Sequence, residues 1–113
     1  RSIFFISDGT GITAETIGNS VLTQFDGVNF IARRLPFIDS EDKVRAAVQE
    51  INAAQAATGS RAIVVNTVID PHLSAQLAES GALMLDVFAP FIGPLEAELG
   101  YKRSPKVGKA HGM

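Results

Sequence analysis

Ile3-Phe4-Phe5-Ile6-Ser7-Asp8-Gly9-Thr10-Gly11-Ile12-Thr13-Ala14-Glu15 decides the fold, because a short apolar strand runs straight into a glycine-threonine loop that opens a helix. Ile3 to Ile6 carry no polar interruption, the pattern of a strand covered on both faces. Gly9 and Gly11 permit the positive φ or close backbone approach that a tight strand-to-helix turn demands. The first amides of a helix have no intrahelical partner, and the helix dipole adds partial positive charge there, so a phosphate or carboxylate is the favoured guest. Ser7, Asp8, Gly9, Thr10, Gly11 and Thr13 are therefore the candidate anion-binding loop. Thr10 and Thr13 each have two available roles, capping the helix or donating a hydroxyl hydrogen bond to a phosphate oxygen. The local pattern fits a tight turn without a ligand equally well.

Outward from that stretch, apolar spacing changes period in a repeating strand-then-helix order. Ala14, Ile17, Val21, Leu22 and Phe25 predict the buried face of a helix ending near Asp26-Gly27. Val28 to Leu35, rich in branched and aromatic residues, reads as a second strand that Pro36 helps to stop. Asp39 or Ser40 caps a second helix, with Glu41 and Asp42 complementing its dipole, Val44, Ala47, Val48, Ile51 and Ala54 as its buried stripe, and Gly59 as its stop. Arg61 to Val68 holds a third strand whose unbroken Ala62-Ile63-Val64-Val65 belongs in the middle of a sheet. Asp70-Pro71 opens a third helix reaching about Ser80, with Leu73, Leu77 and Ala78 inward. Leu83 to Phe88 reads as a fourth strand, and a last helix begins near Pro90 or Pro94, includes Leu95 and Leu99, and ends at Gly100. Such alternation predicts an α/β fold, a Rossmann-like doubly wound, mostly parallel sheet of about four strands with helices on both faces. Residues 1–100 form that domain, and residues 101–113, with Lys102, Arg103, Pro105, Lys106, Gly108 and Lys109, read as a basic linker or tail.

Composition narrows the class. A length of 113 residues suits one domain with a single core, and 46% hydrophobic against 19% charged residues is too apolar for intrinsic disorder. Ten basic against twelve acidic residues, a formal charge of −2, argue against nucleic acid as a partner. The absence of cysteine excludes disulfides and thiolate ligation. No apolar run approaches the roughly eighteen residues that span a bilayer, and no signal-peptide pattern opens the chain. A soluble cytoplasmic protein without a membrane partner is expected.

Several familiar loops resemble the first turn, and each lacks a required residue. A haloacid-dehalogenase site, D-x-D-G-T, needs a nucleophilic carboxylate where Ile6 stands. A flavodoxin loop needs later aromatic residues to stack on the flavin, but there is no Trp and the only Tyr is Tyr101. The dinucleotide fingerprint would place its third glycine at Ala14, and the acid expected at the end of the second strand is replaced by Arg33 and Arg34. Those arginines suit bidentate pairing with phosphate, or, more simply, a solvated strand end. A receiver domain needs clustered acids and a phosphoacceptor Asp ending the third strand, where Asn66 and Thr67 stand. Asp8 is the best acid for chemistry, with an Asx-type turn as its simpler role, and His72 reads as exposed and structural. Two histidines without cysteine give no metal-ligand spacing and no assembled triad, so no catalytic residue and no metal site is assigned.

The run Ile6 to Phe25, ISDGTGITAETIGNSVLTQF, resembles the amino-terminal signature of the phosphoenolpyruvate synthase regulatory proteins, relatives of the pyruvate, phosphate dikinase regulatory proteins. Leu35-Pro36-Phe37, Ala89-Pro90, Pro94-Leu95-Glu96 and Ala110-His111-Gly112-Met113 extend the resemblance over essentially the whole chain. It implies a bifunctional regulator, a serine/threonine kinase using ADP as phosphoryl donor and a phosphate-dependent pyrophosphorylase that reverses the modification. ADP and inorganic phosphate are then the implied cofactors, the dikinase is the partner, and a homodimer is expected. In this family a P-loop in the carboxy-terminal half holds the nucleotide, and this chain has no G-x-x-x-x-G-K-[ST]. Its closest string, Gly108-Lys109, has Arg103 in place of the first glycine and Ala110 in place of the Ser or Thr. The chain thus reads as an amino-terminal domain preceding a P-loop kinase domain, with no cofactor held within the fragment, with the activities belonging to the longer protein.

Overall fold

The run Ser2–Ile6 forms β1, and every one of its residues is buried because strands flank both edges and helices cover both faces. A computed structural model of the chain describes residues 1–103, so His111, the Gly108-Lys109 string and the end of the proposed 101–113 tail lie outside the described residues. Among the described residues the order is β1 (Ser2–Ile6), α1 (Ile12–Leu22), β2 (Ile31–Leu35), α2 (Glu41–Thr58), β3 (Ile63–Asn66), α3 (Pro71–Ala78), β4 (Leu83–Asp86) and α4 (Ala89–Leu99). The four strands are all parallel in the order β2-β1-β3-β4, and helices cover both faces, as the alternation of elements predicts.

Strand alternation divides the core. Phe4, Ile6 and Val64 point to one face, against Val44, Ala47 and Ile51 of α2 and Leu73 and Leu77 of α3. Ile3, Phe5 and Val65 point to the other, against Ala14 of α1. The end signals read from sequence are present in α2 and α3. Ser40 Oγ accepts from Lys43 N at 3.3 Å, Gly59 closes α2 at φ 68°, and Asp70 Oδ1 accepts from His72 N at 2.8 Å with Pro71 in the first turn. Gln55 adds a polar clamp, accepting from Ala62 N at 2.9 Å and donating to Ser80 O at 3.0 Å, which fixes the entry of β3 to the exit of α3.

Three expectations need correction. The face of α1 turned to the sheet is Ala14, Gly18 and Leu22, while Ile17, Val21 and Phe25 are exposed, and the helix ends at Leu22 rather than near Gly27. The cause is Gly18: a Cβ there would lie 2.5 Å from Phe5 Cε1 and 3.2 Å from Val65 Cγ2, so the helix seats on its smallest residues. β2 starts at Ile31, not Val28: its first residue lies opposite Ser2, the first residue of β1, and Ile31 N bonds Arg1 O at 2.9 Å. Ala78, expected inward, is exposed at the last position of α3, and Ser80 is buried in its stead. α4 agrees with expectation, beginning at Ala89 beside Pro90, including Leu95 and Leu99 and ending at Gly100 at φ 71°, and none of its residues is buried.

Candidate functional site

Between β1 and β3 the strand order reverses, so the loops leaving these two strands flank a topological switch point at the carboxyl edge of the sheet. Ser7 to Gly11 is one of these loops. Its backbone is held on one side by the segment after β2: Ser7 N donates to Leu35 O at 3.2 Å, Ile38 N to Ser7 O at 2.8 Å and Phe37 N to Gly9 O at 2.8 Å. Phe37 adopts φ 59° to make these bonds, a conformation that a bulky residue seldom takes. On the other side Thr67 N donates to Ile6 O at 2.9 Å and Ile69 N donates to Asp8 Oδ2 at 3.0 Å. Asp8 is therefore a buried tie between the loops after β1 and β3. A local turn belongs to Ser7, whose Oγ accepts from Gly9 N at 2.9 Å.

Gly11 is the N-cap of α1 at φ 90°, ψ 2°, and no side chain caps the helix there. Thr10 Oγ1 accepts from Ile12 N at 3.4 Å, and Glu15 N returns to Gly11 O at 3.0 Å, which leaves the amides of Thr13 and Ala14 as the first-turn donors without a side-chain cap. Thr13 is half-buried in that first turn. The two arginines separate cleanly, since adjacent residues of a strand point to opposite faces. Arg34 lies over the loop: a Cβ on Gly11 would come 2.8 Å from its Cδ, and its Nη1 is 3.6 Å from Glu15 Oε2. Arg33 turns to the α2 face and pairs with Glu50 at 2.7 Å. Thus the structure brings Arg34 to the glycine loop and takes Arg33 away from it.

A second polar cluster was not singled out from sequence. Asn66 ends β3 and Asp86 ends β4, directly opposite in register, and Asn66 Nδ2 donates to Asp86 Oδ1 at 2.7 Å and to Ser74 Oγ at 3.1 Å. Val68 N donates to Asn66 Oδ1 at 3.0 Å, so the amide is used on both sides. These residues floor a cleft of about 320 Å³ between the β3–α3 and β4–α4 turns, with Arg103 at its rim. The signal available beforehand was a polar residue closing each of two consecutive apolar strands. His72 is outside both places, exposed, with Nε2 2.8 Å from Glu41 Oε1. Among the described residues no three His, Cys, Asp or Glu side chains converge as metal ligands, and no helix is long and apolar enough to cross a membrane.

Comparison with known proteins matches residues 3–113 to the family described as kinase/pyrophosphorylase. A relative from Xanthomonas euvesicatoria pv. vesicatoria is 60% identical over all 113 residues, and one from Xylella fastidiosa is 61% identical over the same span. Both bear provisional names as phosphoenolpyruvate synthase regulatory proteins. The chain spans 41% of the length of each.

Proposed function

Because the chain belongs to the kinase/pyrophosphorylase family, we propose that it is the amino-terminal α/β part of a bifunctional regulator of phosphoenolpyruvate synthase. In the longer protein a serine/threonine kinase consumes ADP to phosphorylate a threonine of the synthase, and a phosphate-dependent pyrophosphorylase removes that group. Regulation of pyruvate, phosphate dikinase is the close alternative, and the choice of target lies in the longer protein. Residues 1–100 form the supporting domain and residues 101–113 the linker toward a P-loop kinase domain.

For the domain itself the reading is an anion site at Ser7 to Thr13, serving a phosphate or the phosphate end of a nucleotide. The observation that carries it is the meeting of three features: a Gly11 N-cap without a side-chain acceptor, the first-turn amides of Thr13 and Ala14, and Arg34 laid across Gly11. A helix start offers an anion partial positive charge and N–H donors, and a guanidinium adds a full charge with paired donors. No described nucleophile and base are placed for group transfer, so the domain binds and positions while the chemistry occurs elsewhere in the longer protein.

Titrating inorganic phosphate, ADP and pyrophosphate while following the amide resonances of Gly9 to Thr13 tests this. Saturable shifts at about millimolar ligand are expected, corresponding to roughly 4 kcal/mol of binding. Silence at these amides would make the loop purely structural and leave a protein-interaction module as the better reading. Threonine phosphorylation of a dikinase by the 113 residues alone would overturn the division of labour.

A further inference from the structure

The two edges of the sheet are built differently. Along the outer strand β2, Arg33 and Arg34 interrupt the apolar pattern, and charged side chains are a common means of keeping an edge unpaired. The outer strand β4 reads Leu83-Met84-Leu85-Asp86, with three apolar residues in succession on an open edge. Leu83 N and Val87 N donate inward to Ala62 O and Asn66 O at 2.9 and 3.0 Å, so strand alternation turns the amides of Met84 and Asp86 toward the open side. Beside this edge, between α1 and the first turn of α4, runs a groove lined by Ile17, Val21, Val65, Leu85, Val87 and Phe91. α4 has no buried residue, and its Phe91, Leu95 and Leu99 are 65%, 50% and 62% exposed. So much contiguous apolar surface on one side marks a face built to be covered.

We propose that β4 is an interior strand of the longer protein: a fifth parallel strand from the polypeptide outside these 113 residues pairs with its open edge, and the apolar helix attached to that strand fills the groove between α1 and α4. Three observations select this occupant. The order β2-β1-β3-β4 is the first four positions of the doubly wound order 2-1-3-4-5, whose next place is beside β4. More than half the length of each matched relative lies outside the region this chain covers, which is ample for a strand and a helix. Arg103, the last described residue, lines the cleft at the end of β4, next to the edge in question. A second copy suits the face less well. A twofold axis would set β4 against β4 antiparallel over four residues and would bring no helix to the groove.

The test substitutes these 113 residues for the matching region of the Xanthomonas relative and compares hydrogen exchange in that longer protein with exchange in the 113-residue chain. The amides of Met84 and Asp86 are expected to exchange rapidly in the short chain and to slow by about 100-fold or more in the longer protein. The double substitution Leu85→Lys with Phe91→Lys, both at exposed positions of the short chain, is expected to leave its unfolding midpoint unchanged and to remove the protection in the longer protein. Equal, rapid exchange of both amides in the two proteins overturns the proposal. So does a short chain that dimerises and protects Met84 and Asp86 unaided, which would assign the edge to a second copy.

Discussion

At the scale of single residues, the local backbone preference and the packing demand conflict at Gly18. Alanine is favoured over glycine inside a helix by about 1 kcal/mol, but here its Cβ would lie 2.5 Å from the buried ring of Phe5. Overpacking of a filled core costs about 1–3 kcal/mol, so Gly18→Ala should lower the urea midpoint, a net loss of up to about 2 kcal/mol. A raised midpoint would mean that α1 can lift off the sheet without penalty. Asp8→Ala removes the acceptor of Ile69 N and should cost about 1–3 kcal/mol, with faster exchange at Ile69 as its local signature. The two arginines give a sharper contrast. Arg34 and Glu15 are both well exposed and 3.6 Å apart, a pair worth less than about 1 kcal/mol, so Arg34→Ala should leave the melting temperature nearly unchanged. It should nevertheless weaken phosphate binding at least about threefold, while Arg33→Ala, on the opposite face, leaves it intact. Equal effects of the two substitutions in the phosphate titration would remove Arg34 from the site.

Among the elements, α2 and α3 are stabilised at their starts by side chains that the sequence announces. Ser40→Ala should cost about 1 kcal/mol, and Asp70→Ala, which serves both His72 N and Leu73 N, about 1–2 kcal/mol. The midpoints should move without a change in the denaturant slope, since neither substitution alters the surface exposed on unfolding. α2 was legible because cap, dipole charge, stripe and stop all agree within one segment, and the start of α3 because Asp70-Pro71 marks it. β1 and β3 were legible for a related reason: uninterrupted apolar residues have only an interior place in a parallel sheet. α1 was not, because its apolar residues exceed what the sheet beneath it can cover, and the position of Gly18 relative to Phe5 is a fact of tertiary packing. The start of β2 was hidden too, since it is set by its pairing with β1, a distant segment of the chain. In the site, the glycine loop and Arg34 were visible as residue types, but the separation of Arg34 from Arg33 needed the register of β2. The Asp8–Ile69 bond and the Asn66–Asp86 pair join positions that no local pattern connects.

For the molecule as a whole, charge contributes little and the two-sided core contributes most. Every ion pair found among the described residues has both side chains more than a third exposed. Raising sodium chloride from low to high concentration should therefore shift the unfolding free energy by less than about 1 kcal/mol. By contrast Ile51→Ala, in the fully buried layer under α2, should cost about 2–5 kcal/mol. A melting temperature that collapses in salt would contradict this ranking. One small feature has reach at this scale as well. The carboxylate of Asp8 fastens two turns separated by 61 positions of chain, one at the glycine loop and the other beside the Asn66 cleft. Two mouths on the same rim are thereby moored to a single post. A pull on the first turn is handed through that carboxylate to Ile69, which walls the neighbouring hollow.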